Sequence, residues 1–439
     1  MAKVFLAFLG TNDYLPCTYY AVSGELAGVR FVQEATIRLF CQEWQEADRI
    51  LILTTAEARR KNWVDDGHSD RDGNPLRRDG LKSRLNKLSL KAPIRRVPIP
   101  EGKNEEEIWQ IFQTLFEQLE EGDEVIFDIT HALRHIPMLA LAALNYAKVL
   151  KGLRLRGIYY GAFEVLGSIR EAEKLPVAER RVPIFDLAAF DALLDWGVAV
   201  DRFLGAGDAA PLADLAHRSV KPVLKETKGQ DAAARAIRTL AQRLEAFSAA
   251  LATCRGPSLG ENVRLLKEAL DRALNVEVLP PLKPLLGRLA ERIRRFPEDF
   301  IQDGLQAARW CLDHNLIQQG FTILQEFLIS WLVKSQGLDD AKLAHRELVN
   351  QALTIRHKKL PPEDWKREAR EHQESVQGLI AFFDRHPAWV SIFSQLNQCR
   401  NDLNHAAFRG NSRSAGAFKP KLDRLIAAAQ EELANAAGP

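Results

Sequence analysis

The chain has 439 residues, 46% hydrophobic and 27% charged, which is long enough for two or three globular domains. Its formal net charge of +2 excludes a strong overall positive field, so any contact with nucleic acid must use a local patch. Five cysteines are scattered with no C-x-x-C pair, which argues against a zinc site or a disulfide framework and is typical of a reducing cytoplasm.

The sequence predicts no targeting segment and no membrane partner. The apolar run 4–9 is too short for the core of a signal peptide. The longest apolar stretch, 136–150, is interrupted by Asn145, Tyr146 and Lys148 and is shorter than a membrane span. We therefore expect a cytoplasmic protein.

Roughly the first 185 residues alternate between strand-like and helix-like patterns. Short apolar runs predict buried strands, and amphipathic segments predict helices between them. Such an alternation indicates a parallel sheet with helices on both faces. The polar, glycine-rich segment 65–80 is expected to be a mobile surface loop. The predicted strands are 4–9, 49–55, 94–99, 124–130 and 154–160, with a hairpin over 18–22 and 29–32, and the predicted helices are 33–44, 105–119 and 137–150, the last of them buried.

The pattern changes at 183–187, beyond which almost all periodicity is helical. Proline pairs at 280–281 and 361–362 separate groups of helices. The C-terminal half is therefore predicted to be all-α. Its predicted helices are 186–203, 231–254, 263–274, 282–294, 300–315, 316–334, 342–353, 371–385, 390–407 and 420–433.

Polar residues follow two predicted strands of the N-terminal half. Gly10, Thr11 and Asn12 come after the first strand, and Thr130, His131 and Arg134 come after the strand at 124–130. Ligands of open parallel sheets bind beyond the carboxyl ends of the strands, where backbone N–H groups can approach a phosphate. The absence of G-x-G-x-x-G and of G-x-x-x-x-G-K-[ST] argues against a dinucleotide cofactor and an NTPase. A plainer alternative stays open, in which Gly10 only makes a turn and Thr130 only caps a helix.

The C-terminal half contains Arg400 and His405 in the sequence Arg-Asn-Asp-Leu-Asn-His. An arginine holds a phosphate through a planar, permanently charged fork, and a histidine transfers protons near neutral pH. This combination suits cleavage of a phosphodiester bond in RNA. If 390–407 is one helix, Asn401 and His405 share a face, and Asn401 can fix the tautomer of the imidazole.

Other residues of the helical half have two interpretations each. Arg409, Arg413, Lys419 and Lys421 either bind the RNA backbone or form a solvated basic loop. Glu326, on an otherwise apolar helix, either orients Arg400 or faces solvent.

The segments Phe8-Leu9-Gly10-Thr11-Asn12 and Asp128-Ile129-Thr130-His131-(x)2-Arg134-(x)2-Pro137 resemble the CARF domain of CRISPR-associated proteins. The six-residue Arg-His element resembles that of HEPN ribonucleases. Together they make the whole chain similar to the CARF–HEPN accessory ribonucleases of type III CRISPR systems. The resemblance implies an α/β plus all-α protein: a Rossmann-like CARF domain in 1–186, a helical connector in 187–299 and a HEPN domain in 300–439.

The resemblance further implies a sensor coupled to a nuclease. A cyclic oligoadenylate binds across the two-fold axis of a CARF homodimer, with Gly10, Thr11 and Asn12 on one wall and Thr130, His131 and Arg134 on another. Tyr14 and Tyr160 are candidate walls for adenine. We expect the ring of four adenylates, because a two-fold groove accommodates it simply. Assembly beyond the dimer stays open.

The nuclease chemistry implied by the resemblance uses no metal and no cofactor besides the activator. The ribose 2′-OH of single-stranded RNA attacks the adjacent phosphorus and leaves a 2′,3′-cyclic phosphate. His405 is the general acid or base, and Arg400 stabilises charge on the phosphoryl oxygens. The two HEPN copies of a dimer form one composite active site.

Two alternatives accompany this reading. The chain could be a non-catalytic, nucleotide-sensing regulator, against which the intact Arg400 and His405 pair argues. The CARF domain could also degrade its own activator, with His131 and Thr11 placed for that reaction.

Overall fold

The structure is a computed structural model that describes residues 2–70, 72–131, 135–277, 282–408 and 412–436, with only the backbone described at 135–137. The chain divides into two compact units, Met1–Ala192 and Leu193–Pro439. The division falls within the helix Ala188–Ala206. The further division of the helical half at residue 299 stays a prediction.

The N-terminal unit is built on an eight-stranded sheet. The strands are β1 Lys3–Phe8, β2 Cys17–Ala21, β3 Gly24–Val29, β4 Arg49–Thr54, β5 Ile94–Pro98, β6 Glu124–Asp128, β7 Arg154–Gly161 and β8 Arg181–Asp186. Their order in the sheet is β3-β2-β8-β7-β6-β1-β4-β5. The five strands from β7 to β5 are parallel, β8 is antiparallel to β7, and β3 is antiparallel to β2.

Both faces of the central strands are covered, which explains their unbroken apolar sequences. Along β1, Val4, Leu6 and Phe8 belong to one hydrophobic core, whereas Phe5 and Ala7 belong to the other. The helices of this unit are α1 Val32–Phe40, α2 Ala56–Ala58, α3 Leu81–Asn86, α4 Glu105–Glu117, α5 His135–Lys151, α6 Ile169–Lys174 and α7 Ala188–Ala206, and a π-helical turn spans Arg59–Trp63.

The structure corrects the predicted parallel sheet in two places. The sheet is mixed, because β8 runs antiparallel to β7. The region 183–187, which was predicted to be the boundary between the two halves, overlaps this strand, and β8 lies between β2 and β7. Pro183 has no backbone N–H to donate to a neighbouring strand, so its presence in the sequence argues against a strand here. Its carbonyl nevertheless accepts a hydrogen bond from Ala162 N at 3.0 Å. The second hairpin strand is Gly24–Val29 rather than 29–32, since the turn at Val22 and Ser23 comes earlier than the apolar residues indicate.

The prediction that the helix at 137–150 is buried was wrong for one of its faces. Ala140, Ala143, Leu144 and Ala147 of α5 pack into the core. The opposite face exposes large apolar side chains, with Met138 at 75%, Val149 at 83% and Leu150 at 57% exposure. Apolar composition alone did not reveal that only one stripe of this helix meets the sheet.

The C-terminal unit is entirely helical in its described residues. Its core contains the buried faces of α13 (Ile317–Ser335) and α17 (Pro387–Asn404), with Trp331 stacked on Trp389 at 5.3 Å between ring centroids. Besides the C-terminal part of α7, its helices are α8 Ala210–Glu226, α9 Ala232–Ala252, α10 Gly256–Asn275, α11 Leu282–Ile293, α12 Phe300–Asp313, α13 Ile317–Ser335, α14 Leu343–Lys358, α15 Arg367–Glu371, α16 Gln373–Arg385, α17 Pro387–Asn404 and α18 Phe418–Ala436.

Most predicted helices of this unit are present, with two differences. Helix α8 was not predicted, and it contains Pro222 in its interior, a residue that disfavours helix in a sequence. The predicted helix 371–385 corresponds to α16, and the short helix α15, which precedes it across His372, was not predicted. No helix in the described part of the chain is long and apolar enough to cross a membrane.

Candidate functional site

The loops that follow β1 and β6 lie side by side in the N-terminal unit, as predicted for adjacent parallel strands. Ala7 pairs with Asp128 near the carboxyl ends of these strands. A Cβ built on Gly10 would lie 3.4 Å from the Cβ of His131, so the two predicted segments are in direct contact. Thr11 and Thr130 are half-buried at this edge, and Asn12 is exposed.

Tyr14 packs beneath the loop after β1 and holds it in place. Its hydroxyl accepts from the backbone N–H of Gly10 at 2.8 Å, and its ring meets the edge of His131 at 4.5 Å between centroids. A Cβ on Gly10 would come within 2.8 Å of that hydroxyl, so the close approach requires glycine. Tyr14 is buried beneath the loop, which departs from its predicted place as an open wall for adenine.

His131 is half-buried, and desolvation lowers the pKa of its imidazole to about 4. The side chain is therefore neutral at physiological pH. Its nitrogens can exchange hydrogen bonds with a ligand but do not add a positive charge to the site.

Thr130 has a structural bond that the sequence did not predict. Its hydroxyl accepts from Gly161 N at 2.9 Å, joining the loop after β6 to the end of β7. Its backbone N–H donates to Asp128 Oδ1 at 3.0 Å. Burial raises the pKa of the Asp128 carboxyl. Tyr160, at the end of β7, donates to Glu164 at 2.8 Å, and Arg134 lies outside the described residues.

Asn62, which the sequence analysis missed, holds the loop after β1 in place. Its amide donates to the carbonyls of Gly10 and Asn12 at 2.9 and 2.8 Å, and its Oδ1 lies 3.0 Å from His68 Nε2. Asn62 lies on the π-helical turn, which follows β4 and is therefore distant from Gly10 in the sequence. No pattern in the sequence links that turn to Gly10.

The segment 65–80, predicted to be a mobile loop, is anchored by several hydrogen bonds. Arg78 binds both carboxylate oxygens of Asp13 at 2.8 and 2.7 Å. Arg30, only 7% exposed, donates to the same carboxylate at 3.0 Å and to the carbonyl of Asp79. The described part of this loop is therefore attached to the residues just beyond Asn12.

In the C-terminal unit, α17 begins at Pro387 and ends at Asn404, so the predicted helix 390–407 was placed three residues too late. His405 is the C-cap residue, and Ala406 and Ala407 have positive φ angles of 48° and 63°. The backbone N–H of His405 still donates to Asn401 O at 3.1 Å. Both residues are exposed, Asn401 in the last turn of the helix and His405 just beyond it.

Arg400 is held by an ion pair with Glu326 of α13. Arg400 Nη1 donates to Glu326 Oε1 at 2.8 Å, and the other carboxylate oxygen accepts from Arg346 Nη2 at 2.6 Å. Of the two interpretations of Glu326, the structure supports contact with Arg400. Arg400 Nε is buried and has no hydrogen-bond partner among the described residues.

Arg346, which the sequence did not single out, fixes the other side of Glu326. Its guanidinium also donates to the carbonyls of Glu326 and Asp340 at 3.0 and 3.1 Å and to the hydroxyl of Ser330. The chain of contacts Arg346–Glu326–Arg400 joins α14, α13 and α17.

A cleft of about 360 Å³ opens in front of this chain of contacts. Its wall includes Arg400, Asn401 and Asn404 from α17 and Arg346 and Asn350 from α14. Two further side-chain hydrogen bonds join α13 and α17 on either side of the ion pair between Glu326 and Arg400. Gln318 donates to Asn404 at 3.1 Å, and Gln325 donates to Asn397 at 2.7 Å.

The predicted RNA-binding residues have different surroundings. Arg413 binds Gln398 at 3.0 Å, and its backbone N–H donates to the buried carboxylate of Asp402 at 2.8 Å, so it closes the turn after α17. Lys419 is exposed, and Lys421 donates to Gln395. Arg409 lies outside the described residues.

Among the described residues, no group of three or more His, Cys, Asp or Glu side chains is placed to hold a metal ion.

Comparison with known proteins shows what the N-terminal unit is similar to. Residues 4–164 match the family described as CRISPR system endoribonuclease Csx1, CARF domain. The chain is also 25% identical over 229 residues to the CRISPR-associated protein MJ1674 of Methanocaldococcus jannaschii. That alignment covers 51% of this chain and 32% of the relative, so the chain spans about a third of the relative's length. The N-terminal unit thus contains a CARF domain, and both matches support a CARF-containing CRISPR accessory protein.

Proposed function

We propose that the chain is a cyclic-oligoadenylate-activated, metal-independent endoribonuclease of type III CRISPR defence that cuts single-stranded RNA in the cytoplasm. The observation that carries this proposal is Arg400, held by Glu326 at the wall of a cleft, five residues before an exposed His405. The CARF match in the same chain supports a sensor that controls this element.

The helical unit acts in this proposal as a HEPN ribonuclease domain. Arg400 binds the scissile phosphate and stabilises the charge that develops on its oxygens. His405 transfers a proton to or from the attacking 2′-OH or the leaving 5′ oxygen, and Asn401 lies one turn before it. Of the predicted RNA-binding residues that the structure describes, Lys419 is free to follow the backbone of the substrate on its exposed surface.

The CARF domain binds the activator at the loops after β1 and β6. In this proposal, the activator contacts backbone N–H groups near Gly10 and the polar side chains of Thr11, Asn12 and His131, while Thr130 joins the loop after β6 to the end of β7. A homodimer supplies the second copy of this surface, and the ring of four adenylates fits such a two-fold arrangement. The exposed apolar face of α5 supports pairing with a second copy.

Degradation of the activator by the CARF domain is not part of this proposal. An imidazole with a pKa of about 4 is a weak base near neutral pH, so His131 is poorly suited to activate a 2′-OH.

The test is incubation of the full-length protein with labelled single-stranded RNA, alone and with each cyclic oligoadenylate from three to six adenylates. We expect cleavage that depends on one ring size. Calorimetry should show that Asn12→Ala weakens binding of that ring without lowering the rate at saturation. RNA left intact under every activator would overturn the proposal in favour of a non-catalytic regulator.

A further inference from the structure

A second cavity, of about 650 Å³, lies on the other side of the Glu326–Arg346 ion pair from the Arg400 cleft. Glu326 and Arg346 line both cavities, so this ion pair is their common wall. The volume lies within the range of about 300–1,000 Å³ that is usual for small-molecule sites. Its position makes it a neighbour of the group that we assign to phosphate binding.

The wall of this cavity is aromatic on one side. Phe300 and Phe327 pack together at 5.0 Å between ring centroids, and Phe300 remains 38% exposed. The Nζ of Lys334 lies 3.7 Å from the centroid of Phe300. An aromatic wall with a cation beside it favours a flat, polarisable ligand.

The charges of the cavity nearly cancel. Lys334 and Arg346 contribute two cations, and Glu326 and Asp340 contribute two carboxylates, with Lys334 and Asp340 paired at 3.5 Å. A cavity without net positive charge gives a phosphate no electrostatic preference for this site. A neutral heterocycle that carries both donors and acceptors on its edge can use both signs.

We propose that this cavity is a base-binding subsite for an RNA nucleotide next to the scissile phosphate. The inference rests on the proposed function, because it takes Arg400 as the group that binds that phosphate. The shared wall lets one nucleotide place its base against the aromatic side while the adjoining phosphate reaches Arg400. The subsite contributes to substrate binding and to the choice of cutting position.

The test uses an RNA with one mapped cut site and versions of it that carry a single abasic ribose on either side of the cut. In the wild-type protein, loss of the base at one of these positions should lower kcat/KM by about 10- to 100-fold, as loss of one stacked base does elsewhere. Ala341→Trp, at the exposed mouth of the cavity, should lower cleavage of the intact RNA to a similar extent. In the Ala341→Trp variant, kcat/KM should fall little further when the intact RNA is replaced by the abasic RNA, because the two changes remove the same contact.

The matched control is Ala344→Trp, an exposed position of α14 outside the cavity lining, which should discriminate between the two RNAs as the wild type does. Binding of an RNA with a 2′-deoxy residue at the cut is measured in parallel by fluorescence anisotropy. Base-dependent binding that Ala341→Trp removes supports the subsite even in a protein that does not cleave, which would overturn only the proposed function. Equal cleavage and binding of intact and abasic RNA, or unchanged discrimination by Ala341→Trp, would overturn the subsite.

Discussion

At the scale of single residues, Glu326 is more important for the position of Arg400 than for the stability of the fold. Its ion pair with Arg400 joins side chains that are 40% and 23% exposed. Pairs of this exposure contribute only about 0–1 kcal/mol to stability. What the pair provides is a fixed guanidinium, because the other carboxylate oxygen is held by Arg346, which itself has further hydrogen bonds. An arginine held this way needs little reorganisation when a phosphate binds.

Arg400→Ala and His405→Ala should each lower RNA cleavage by about 100- to 10,000-fold, the usual range for loss of a general acid or base and of a charge-stabilising group. Neither change should unfold the domain, since Glu326 keeps Arg346 as a partner and His405 is exposed. Cleavage rates under saturating activator measure the effect, and the exposed Arg424→Ala serves as control. Near wild-type rates in either variant would show that the active site lies elsewhere.

Glu326→Gln should lower kcat by about 10- to 100-fold while KM stays equal or falls. The amide keeps the shape of the side chain but holds Arg400 less firmly, and loss of a negative charge beside the phosphate favours RNA binding. The kcat and KM values against one RNA distinguish this from a folding defect, as does the exposed Glu363→Gln. A rise in KM at constant kcat would contradict the positioning role.

His131 makes the stability of the N-terminal unit depend on pH. The pKa of its imidazole is lowered from 6.5 to about 4 in the fold, so between these values the unfolded state binds more protons. The stabilisation is therefore complete above pH 6.5 and is lost as the pH falls towards 4. From pH 6.5 to pH 5 the loss should be about 2 kcal/mol.

Hydrogen exchange of the β1 and β6 amides at pH 7 and pH 5, corrected for the intrinsic exchange rates, measures this loss. His131→Phe keeps the ring contact with Tyr14 but cannot titrate, so its stability should fall about 2 kcal/mol less than that of the wild type. Equal losses in the two proteins would mean that another group carries the pH dependence.

At the scale of helices and strands, the candidate sites lie where regular elements end. β1 and β6 bring two loops together because neighbouring parallel strands end at the same edge. Helix α17 ends at Asn404, which leaves His405 at the exposed turn while Arg400 remains in the helix and contacts α13.

The sequence was informative where periodicity and burial coincide. The buried strands of the parallel core and most C-terminal helices were predicted from apolar patterns alone, and the matching strand ends brought Gly10 and His131 together as expected. It failed where a tertiary contact overrides local preference. Pro183 in β8, Pro222 in α8 and the contacts of Asn62 and Arg346 depend on partners distant in sequence, which one chain does not reveal.

Helix α5 yields a prediction about assembly. Val149 is 83% exposed on its apolar face, and we expect that face to be buried between two copies of the chain. Val149→Glu should weaken the dimer at least about tenfold, because a buried unpaired carboxylate is costly. Light scattering over a concentration series measures this change. Gln242→Glu, at an exposed polar position of α9, should leave the mass unchanged, and a dimer of undiminished affinity in Val149→Glu would place the interface elsewhere.

At the scale of the whole molecule, the sensor and the nuclease that we propose would lie in separate compact units and would have to communicate by a shared equilibrium. An activator can raise the cleavage rate only if it binds the active state more tightly than the inactive one. The same binding should raise the unfolding temperature of the unit that holds it, by mass action. Two functions on one chain therefore predict separable defects, of affinity in the CARF domain and of rate in the helical unit.

The last prediction concerns the chemistry of the complete, activated protein. Cleavage should persist in EDTA and leave a 2′,3′-cyclic phosphate, because the groups that we assign to the site are a proton carrier, His405, and a fixed cation, Arg400, which suit internal attack by the 2′-OH. Single-stranded DNA, which lacks this hydroxyl, should stay intact. An RNA with one 2′-deoxy residue at the cut should resist cleavage there but be cut at neighbouring sites. Mass spectrometry of the fragments identifies the end groups. Activity that EDTA abolishes and magnesium restores, or equal cutting of DNA, would require a metal-dependent site different from the end of α17.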